Sequence, residues 1–346
     1  MQRVIQVGCG ARGRVWSQLL MENPETELVA FMDVDEEAVN RYREKYPDVP
    51  GYTSLDEVLE KVEADFVVLV TPPMGHREQA FKIYDAGMDL LAEKPLALNM
   101  KDAVDIVLGA RDQGRMLSVG LNFRYLPSSQ TYRDWIVNQK LGDASYSIFQ
   151  YSRNRDGYKP GRNRYPLTMP DGMLVEQSIH HFDLMRYCLD AEVVKVSARS
   201  WNPPFSIYQY DSVVSTIFEM DNGLFCTYLG SWTGGWDELK FQWRTDCADG
   251  IITQRELFGD LAYAKTKDSE LTPIPIADEV PFVDDTRELL RRFVKARAGE
   301  MPQECSGLDH LLTLSLTLAC KESHETDRTI RMDEFYRQHG VDQLLS

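Results

Sequence analysis

Arg3-Val4-Ile5-Gln6-Val7-Gly8-Cys9-Gly10-Ala11-Arg12-Gly13 joins a short apolar run to a glycine-rich turn, and Arg14-Val15-Trp16-Ser17-Gln18-Leu19-Leu20 continues it with helical spacing. The pattern predicts a strand, a tight loop and a helix N-terminus, with glycines at the three places of G-x-G-x-x-G. Gly8 permits the turn, Gly10 lets a pyrophosphate approach the backbone, and Gly13 lets the helix pack close to the strand. The free N–H groups and the positive end of the helix then face the phosphates. A glycine fingerprint alone carries little, so its context matters. A second apolar run, Leu28-Val29-Ala30-Phe31-Met32, ends in Asp33, 20 residues past Gly13. That is the spacing of the carboxylate that holds an adenosine ribose diol. An acid there repels a 2′-phosphate, so NAD is preferred over NADP, with Arg12 and Arg14 able to soften the preference. The plain alternative is a glycine turn without a ligand and an acid that merely ends a strand.

The bulk numbers bound the rest. At 346 residues, 43 % apolar, the chain is long enough for about two domains with sizeable cores. A formal net charge of −16 argues against general nucleic-acid or anionic-membrane binding. No apolar run reaches the length that spans a bilayer. The N-terminus enters a strand within three residues, which predicts no export signal. Cys9, Cys188, Cys226, Cys247, Cys305 and Cys320 are scattered without a CxxC pair. That usage suits a reducing cytoplasm and predicts no metal site. Cys9 reads as a small filler of the glycine loop and not as a nucleophile.

Helical spacing is expected over 36–45, 55–62, 76–86 and 100–113, and buried strands over 65–70, 88–92 and 116–120. Such alternation with short loops predicts a doubly wound parallel sheet over 1–122. After 122 the pattern changes. A helix is expected over 128–139. Alternating segments at 144–153, 193–200, 212–220, 224–232 and 239–244 predict a mainly antiparallel sheet with one covered face. One helix, 172–189, interrupts it, and two follow, 285–298 and 306–323. Residues 123–346 are therefore expected to form an α+β domain. Residues 262–284 read as irregular.

Ligands of open parallel sheets sit at strand ends. Thr71-Pro72-Pro73-Met74-Gly75-His76 and Glu93-Lys94-Pro95 fall there. Thr71, Pro72, Pro73, His76, Glu93 and Lys94 thus join Gly8, Cys9, Gly10, Ala11, Arg12, Gly13 and Asp33 as candidate cofactor contacts. An ammonium at Lys94 can hydrogen-bond a substrate oxygen and stabilise a developing alkoxide; the competing reading is a solvated loop lysine. On the helix 172–189, Glu176 and His180 are four residues apart and share a face, with Asp183 at its border. A carboxylate beside an imidazole makes a proton acceptor with a partner that sets its charge. A pair that only supports the helix is the bland alternative. His181 points elsewhere and reads as structural.

Together, Gly8-Cys9-Gly10-Ala11-Arg12-Gly13, Glu93-Lys94-Pro95 and Glu176-x3-His180-x2-Asp183 resemble the Gfo/Idh/MocA family, the glucose–fructose oxidoreductase and inositol dehydrogenase group, over nearly the whole chain. The resemblance implies an N-terminal Rossmann domain over 1–122, a C-terminal α+β substrate-binding and oligomerisation domain over 123–346 built on a large open, mainly antiparallel sheet, NAD(P) held with its nicotinamide facing that sheet, and redox chemistry on a secondary alcohol of a sugar or cyclitol. By the same resemblance Lys94 polarises the hydroxyl, His180 is the general acid/base, and Glu176 stands where aspartate is common. Ser178 stands where glycine is frequent. Asn122-Phe123-Arg124-Tyr125 matches the segment that leads into the substrate domain, with Arg124 near substrate or cofactor. Homodimers or homotetramers through the sheet are also implied.

Arg153, Arg155, Lys159, Arg162 and Arg164 cluster ahead of this helix with Tyr151, Tyr158 and Tyr165 interleaved and only Asp156 opposing them. Guanidinium forks suit carboxylate or phosphate, so an anionic sugar is one expectation; a subunit contact or a solvated loop is the other. Arg124, Tyr151, Arg153, Arg164, Glu176, Gln177 and His180 are the candidate substrate contacts. Three functions are compatible with these residues: an NAD-dependent sugar or cyclitol dehydrogenase, a redox glycosidase that oxidises, eliminates and re-reduces, and a non-catalytic NAD-binding regulator. Lys94 and His180 count against the last, because a pure binder needs neither.

Overall fold

The computed structural model describes residues 1–155, 165–234 and 239–345. The chain divides into two compact units: Met1–Asn122 with Phe282–Leu312, and Phe123–Pro281 with Thr313–Ser346. The expected change of pattern at 122 coincides with the first crossing. Phe282–Leu312, assigned from sequence to the second domain, belongs to the first unit.

In the first unit six strands form one parallel sheet in the order β3-β2-β1-β4-β5-β6. They are β1 (Gln2–Val7), β2 (Thr26–Met32), β3 (Gly51–Tyr52), β4 (Phe66–Leu69), β5 (Asp89–Ala92) and β6 (Leu117–Val119). The short edge strand β3 has no sequence counterpart above; two residues are too few to show alternation. Val67, Val68, Leu90 and Leu91 are fully buried, as a sheet covered on both faces requires. The helices between the strands are α1 (Ala11–Glu22), α2 (Glu36–Lys45), α3 (Leu55–Lys61), α4 (His76–Asp85) and α5 (Met100–Asp112). Asp35, Ser54 and Asn99 cap α2, α3 and α5 by accepting hydrogen bonds from first-turn amides. The helix Asp284–Arg297 adds to this unit because its stripe Leu289, Leu290, Phe293 and Val294 is buried and Phe293 meets Phe66 edge-on at 5.0 Å. Arg297 Nε donates to Asp89 at 2.7 Å. An amphipathic stripe shows that a helix has a covered face; it does not say which sheet covers it.

The second unit holds a nine-stranded sheet ordered β14-β13-β12-β11-β7-β10-β9-β8-β15. Its strands are β7 (Ala144–Ser152), β8 (Val193–Trp201), β9 (Val213–Met220), β10 (Phe225–Ser231), β11 (Lys240–Cys247), β12 (Gly250–Glu256), β13 (Gly259–Lys265), β14 (Thr272–Pro273) and β15 (Ile330–Arg331). All neighbours are antiparallel except β7 and β10. The stretch read as irregular thus contains part of β13 and all of β14. One face is covered: Tyr132, on the helix Pro127–Val137, stacks on Trp243 at 4.1 Å. The other face carries Tyr146, Ile217, Phe225 and Leu229, all exposed. The single helix expected over 172–189 is two elements, a π-helical turn Met173–Ser178 and an α-helix Ile179–Leu189.

Candidate active site

The glycine loop has three different environments. At Gly8 the φ of +107° suits glycine, and an added Cβ would lie 2.7 Å from Val70 of the neighbouring strand end. A Cβ on Gly13 would lie 2.3 Å from the Gly8 carbonyl oxygen, so helix and strand touch there. A Cβ on Gly10 would meet nothing within 4 Å. Gly10 also starts α1 without a side-chain cap, and no acidic residue stands in the first turn. The amides that begin the helix, from Ala11 on, are therefore open to an anion. Asp33 ends β2 beside this loop, accepting from the Cys9 amide at 2.7 Å and from the Asp35 amide at 2.9 Å. Open space over Gly10, uncapped amides and a tethered carboxylate fit the pyrophosphate and ribose of NAD. Cys9 is buried, and burial, then Asp33, pushes its thiol up to about 12. It is a filler, not a nucleophile.

Several expected contacts have other partners. Arg12 donates from Nε to Glu93 at 2.6 Å, and its Nη atoms bond the Phe282 carbonyl and the Thr286 hydroxyl. Its guanidinium is an internal tie and does not bear on the 2′-position. Arg14 does line a small cavity of about 70 Å³ beside Cys9, with Arg41 and Lys45. Glu93 is buried and also accepts from Trp16 Nε1 at 2.7 Å. Burial raises its pKa, but Arg12, the Trp16 hydrogen bond and Lys94 outweigh this and hold the carboxyl below its usual range. His76 is fully buried, with Nδ1 3.1 Å from the Leu96 carbonyl and Nε2 2.9 Å from the Thr71 carbonyl. Burial holds its pKa down, against the pull of those two carbonyls. It ties the strand ends together and offers no free nitrogen to a cofactor. The Thr71 hydroxyl donates to Gln79 at 2.6 Å, with Pro72 extended and Pro73 opening a 3-10 turn. In the run 90–97 every residue is buried except Lys94, which is half-buried and precedes a cis proline.

In the second unit the helix 172–189 is buried along its length apart from Glu176, Gln177, His180 and Tyr187. The first three form the window through which this helix can act. Phe123 stacks on the His180 ring at 4.3 Å and 20°. Beneath the window runs a chain of hydrogen bonds whose directions follow from one another. Tyr151 Oη donates to Gln177 Oε1 at 3.1 Å, so the Gln177 amide nitrogen donates to His181 Nε2 at 3.3 Å. His181 then carries its proton on Nδ1 and donates to Tyr228 Oη at 2.8 Å. Tyr228 passes its proton toward Ser178 Oγ at 2.9 Å, and Ser178 donates to the Met173 carbonyl at 2.9 Å. That last bond spans five residues, the spacing of the π-turn. Burial holds His181 down to about 3, so it stays neutral, as its structural reading from sequence requires. A Cβ on Gly230 would lie 2.3 Å from the Tyr228 hydroxyl and 2.4 Å from the Met173 methyl, so glycine leaves room for the Tyr228 ring and the π-turn side by side.

Arg124, expected near substrate or cofactor, is buried and holds Asp183 with Nε at 2.7 Å and Nη2 at 2.5 Å. The Thr313 hydroxyl adds a bond to the same carboxylate at 2.9 Å. Arg124 and Asp183 thus anchor the helix from behind. Arg153 hydrogen-bonds Tyr151, and Arg155 lies over the Trp232 ring at 4.3 Å. Lys159, Arg162 and Arg164 lie outside the described residues. Sequence reasoning missed Tyr228, whose only signal was its place between Cys226 and Gly230 on the inward positions of β10. It also missed Phe258, in the turn between β12 and β13, a stretch for which no element was expected. Among the described residues no group of three or more His, Cys, Asp or Glu could hold a metal ion, and no helix is long and apolar enough to cross a membrane.

Comparison with known proteins agrees with this fold. The model of the "Oxidoreductase family, NAD-binding Rossmann fold" matches residues 2–121, and that of the "GFO/IDH/MocA C-terminal domain" matches residues 129–252. Myo-inositol 2-dehydrogenase of Thermotoga maritima is 22 % identical over 346 aligned positions, covering 96 % of this chain and 99 % of that protein. The scyllo-inositol 2-dehydrogenase (NAD(+)) of Bacillus subtilis is 30 % identical over 171 positions, 48 % of each. Among solved structures, an oxidoreductase from Agrobacterium radiobacter, in complex with NAD+, L-tartaric acid and magnesium, superposes with a TM-score of 0.88 at 17 % identity, covering 96 % of this chain and 99 % of that one.

Proposed function

From the premise that this chain belongs to the Gfo/Idh/MocA oxidoreductase family, we propose that it is an NAD-dependent dehydrogenase of a secondary alcohol on a sugar, sugar acid or cyclitol. The observation that carries the reading is the selective exposure of reactive groups. Lys94 is the one residue of 90–97 open to solvent, and Glu176, Gln177 and His180 are the open residues on an otherwise buried stretch. NAD, when bound on Gly8–Gly13 and Asp33, supplies the hydride acceptor. His180 takes the proton of the substrate hydroxyl, held in orientation by Phe123. Lys94 donates to the same oxygen and stabilises the charge that develops on it. Glu176, one turn before His180, favours the imidazolium that results. The inositol dehydrogenase relatives support a polyol ring as substrate. A homo-oligomer built on the open face of the nine-stranded sheet completes the proposal.

A panel of sugars, sugar acids and inositols with NAD, read at the nicotinamide absorbance, tests it. Lys94→Ala is expected to lower kcat at least a hundredfold while NAD binding persists. Unchanged turnover in that variant, or no net NADH from any alcohol, overturns the reading. Cleavage of a glycoside without net NADH would favour the redox glycosidase.

A further inference from the structure

In the parallel sheet β1 lies between β2 and β4, and its residues Val4, Ile5 and Val7 are fully buried. Gln6 stands among them, equally buried, opposite Phe31 on β2 and Val68 on β4. A strand covered on both faces ordinarily carries apolar side chains, and an amide is out of place there. Gln6 Nε2 donates to the Gly8 carbonyl at 2.9 Å and to the Gly13 carbonyl at 3.1 Å, with the Tyr42 hydroxyl at 3.4 Å. Both carbonyls can only accept, so the atom that faces them is the nitrogen. The amide oxygen, Oε1, is buried and has no hydrogen-bond partner among the described residues. An unmet buried acceptor lowers stability, and an apolar side chain of the same length would not carry that cost. What offsets it is what the nitrogen holds, the first and third glycines of the loop. Gly13 also leaves room for this amide, since a Cβ there would lie 3.0 Å from Nε2.

The Gly8–Cys9 peptide carries the hold one step further. A planar trans peptide points its C=O and its N–H to opposite sides. With the Gly8 oxygen turned to Gln6, the Cys9 N–H is aimed the other way, at Asp33 Oδ2, 2.7 Å off. The Asp35 amide takes Oδ1 at 2.9 Å. One hydrogen bond on each oxygen sets the plane of the carboxylate, and one of the two comes from the peptide that Gln6 orients.

We propose that Gln6 is a positioning residue of the dinucleotide site: through the Gly8–Cys9 peptide its amide fixes the Asp33 carboxylate against the adenosine ribose, and with it the choice of NAD over NADP. This rests on the reading of Gly8–Gly13 and Asp33 as the cofactor site and is independent of which alcohol is oxidised. Gln6 touches neither the cofactor nor the reacting atoms. It acts through Asp33, so its effect belongs in cofactor discrimination.

The test titrates NADH and NADPH into the protein and follows nicotinamide fluorescence. Wild type is expected to bind NADH about tenfold or more tighter than NADPH. Gln6→Met keeps the length of the side chain and removes the donor. It should shrink that preference about fivefold, chiefly by weakening NADH, and Gln6→Leu should do the same should the first variant not fold. In an Asp33→Ala background Gln6→Met should change the preference no further, because the carboxylate it positions is gone. Thr26→Val is the stability control. It removes another buried bond of this unit, from the Thr26 hydroxyl to the Leu20 carbonyl at 2.7 Å, and should keep the preference. A preference unchanged by both Gln6 variants, lowered equally by Thr26→Val, or lowered by Gln6→Met to the same extent with and without Asp33 overturns the proposal and leaves the cofactor site standing. A preference that survives Asp33→Ala, or a wild type that binds neither nucleotide, overturns the reading of the cofactor site and the proposal with it.

Discussion

Gly10 and Gly13 lack a side chain for opposite reasons. At Gly13 the missing Cβ is a packing requirement, because the Gly8 carbonyl would stand 2.3 Å away. At Gly10 it leaves open space, and the backbone at φ −73° and ψ −164° accepts any residue. Gly13→Ala should therefore cost about 1–3 kcal/mol of stability through overpacking. Gly10→Ala should change stability by less than about 1 kcal/mol, because the gain from restricting the unfolded chain opposes the poor fit of alanine at the N-cap of α1. It should also weaken NAD about tenfold, ~1.4 kcal/mol, by filling the phosphate approach. Thermal melts with and without NAD separate the two. A Gly10→Ala protein that binds NAD normally would show that the opening is not the cofactor's. Both roles were readable from the motif, because glycine spacing encodes backbone requirements directly. The fates of Arg12 and His76 were not. A cation or imidazole near a strand end has the same sequence signature whether it faces a ligand or a buried carboxylate and carbonyls.

The π-turn Met173–Ser178 carries Glu176 and Gln177, two of the three open residues of the window proposed as catalytic. One extra residue per turn rotates Glu176 relative to His180 compared with an unbroken α-helix, and π-turns of this kind concentrate at functional sites. Helical spacing in the sequence showed that a helix exists and that Glu176 and His180 lie near one another. It could not show the extra residue, because the cause is tertiary: Ser178 bonds Tyr228 on one side and the Met173 carbonyl on the other. Tyr228→Phe removes the acceptor of His181 Nδ1 and should cost about 1–3 kcal/mol. If the turn positions the reacting groups, kcat should fall by more than KM rises, and the acid limb of the pH–kcat/KM profile should move as Glu176 shifts against His180. A variant that is less stable but has an unmoved pH profile and unchanged kcat would make the network purely structural.

On the outer face of the nine-stranded sheet Phe225 pairs with Tyr146 across β10 and β7, with Leu229 further along β10 and Ile217 on β9 beside it. Exposed apolar side chains on adjacent strands mark an association surface, and each is worth about 1.5–3 kcal/mol when fully covered. A second copy of the chain is the proposed occupant. Phe225→Glu would place an unpaired charge in that contact, so light scattering should report a smaller species than wild type at the same concentration, with NAD binding retained. Equal masses would remove this surface from the assembly.

The amino-acid sequence by itself determined the parallel sheet, its glycine loop and Asp33, and the alternating strands of the second unit, and it singled out Lys94, Glu176 and His180 as candidates. These are local matters of backbone sterics, hydrophobic period and residue type, and a linear chain states them directly. Tertiary structure alone decided that Phe282–Leu312 returns to the first unit, that the helix bearing Glu176 and His180 opens with a π-turn, and that Arg124 belongs to Asp183. Each depends on which surface meets which, and residues far apart in the chain acquire a common environment only when packing brings them together.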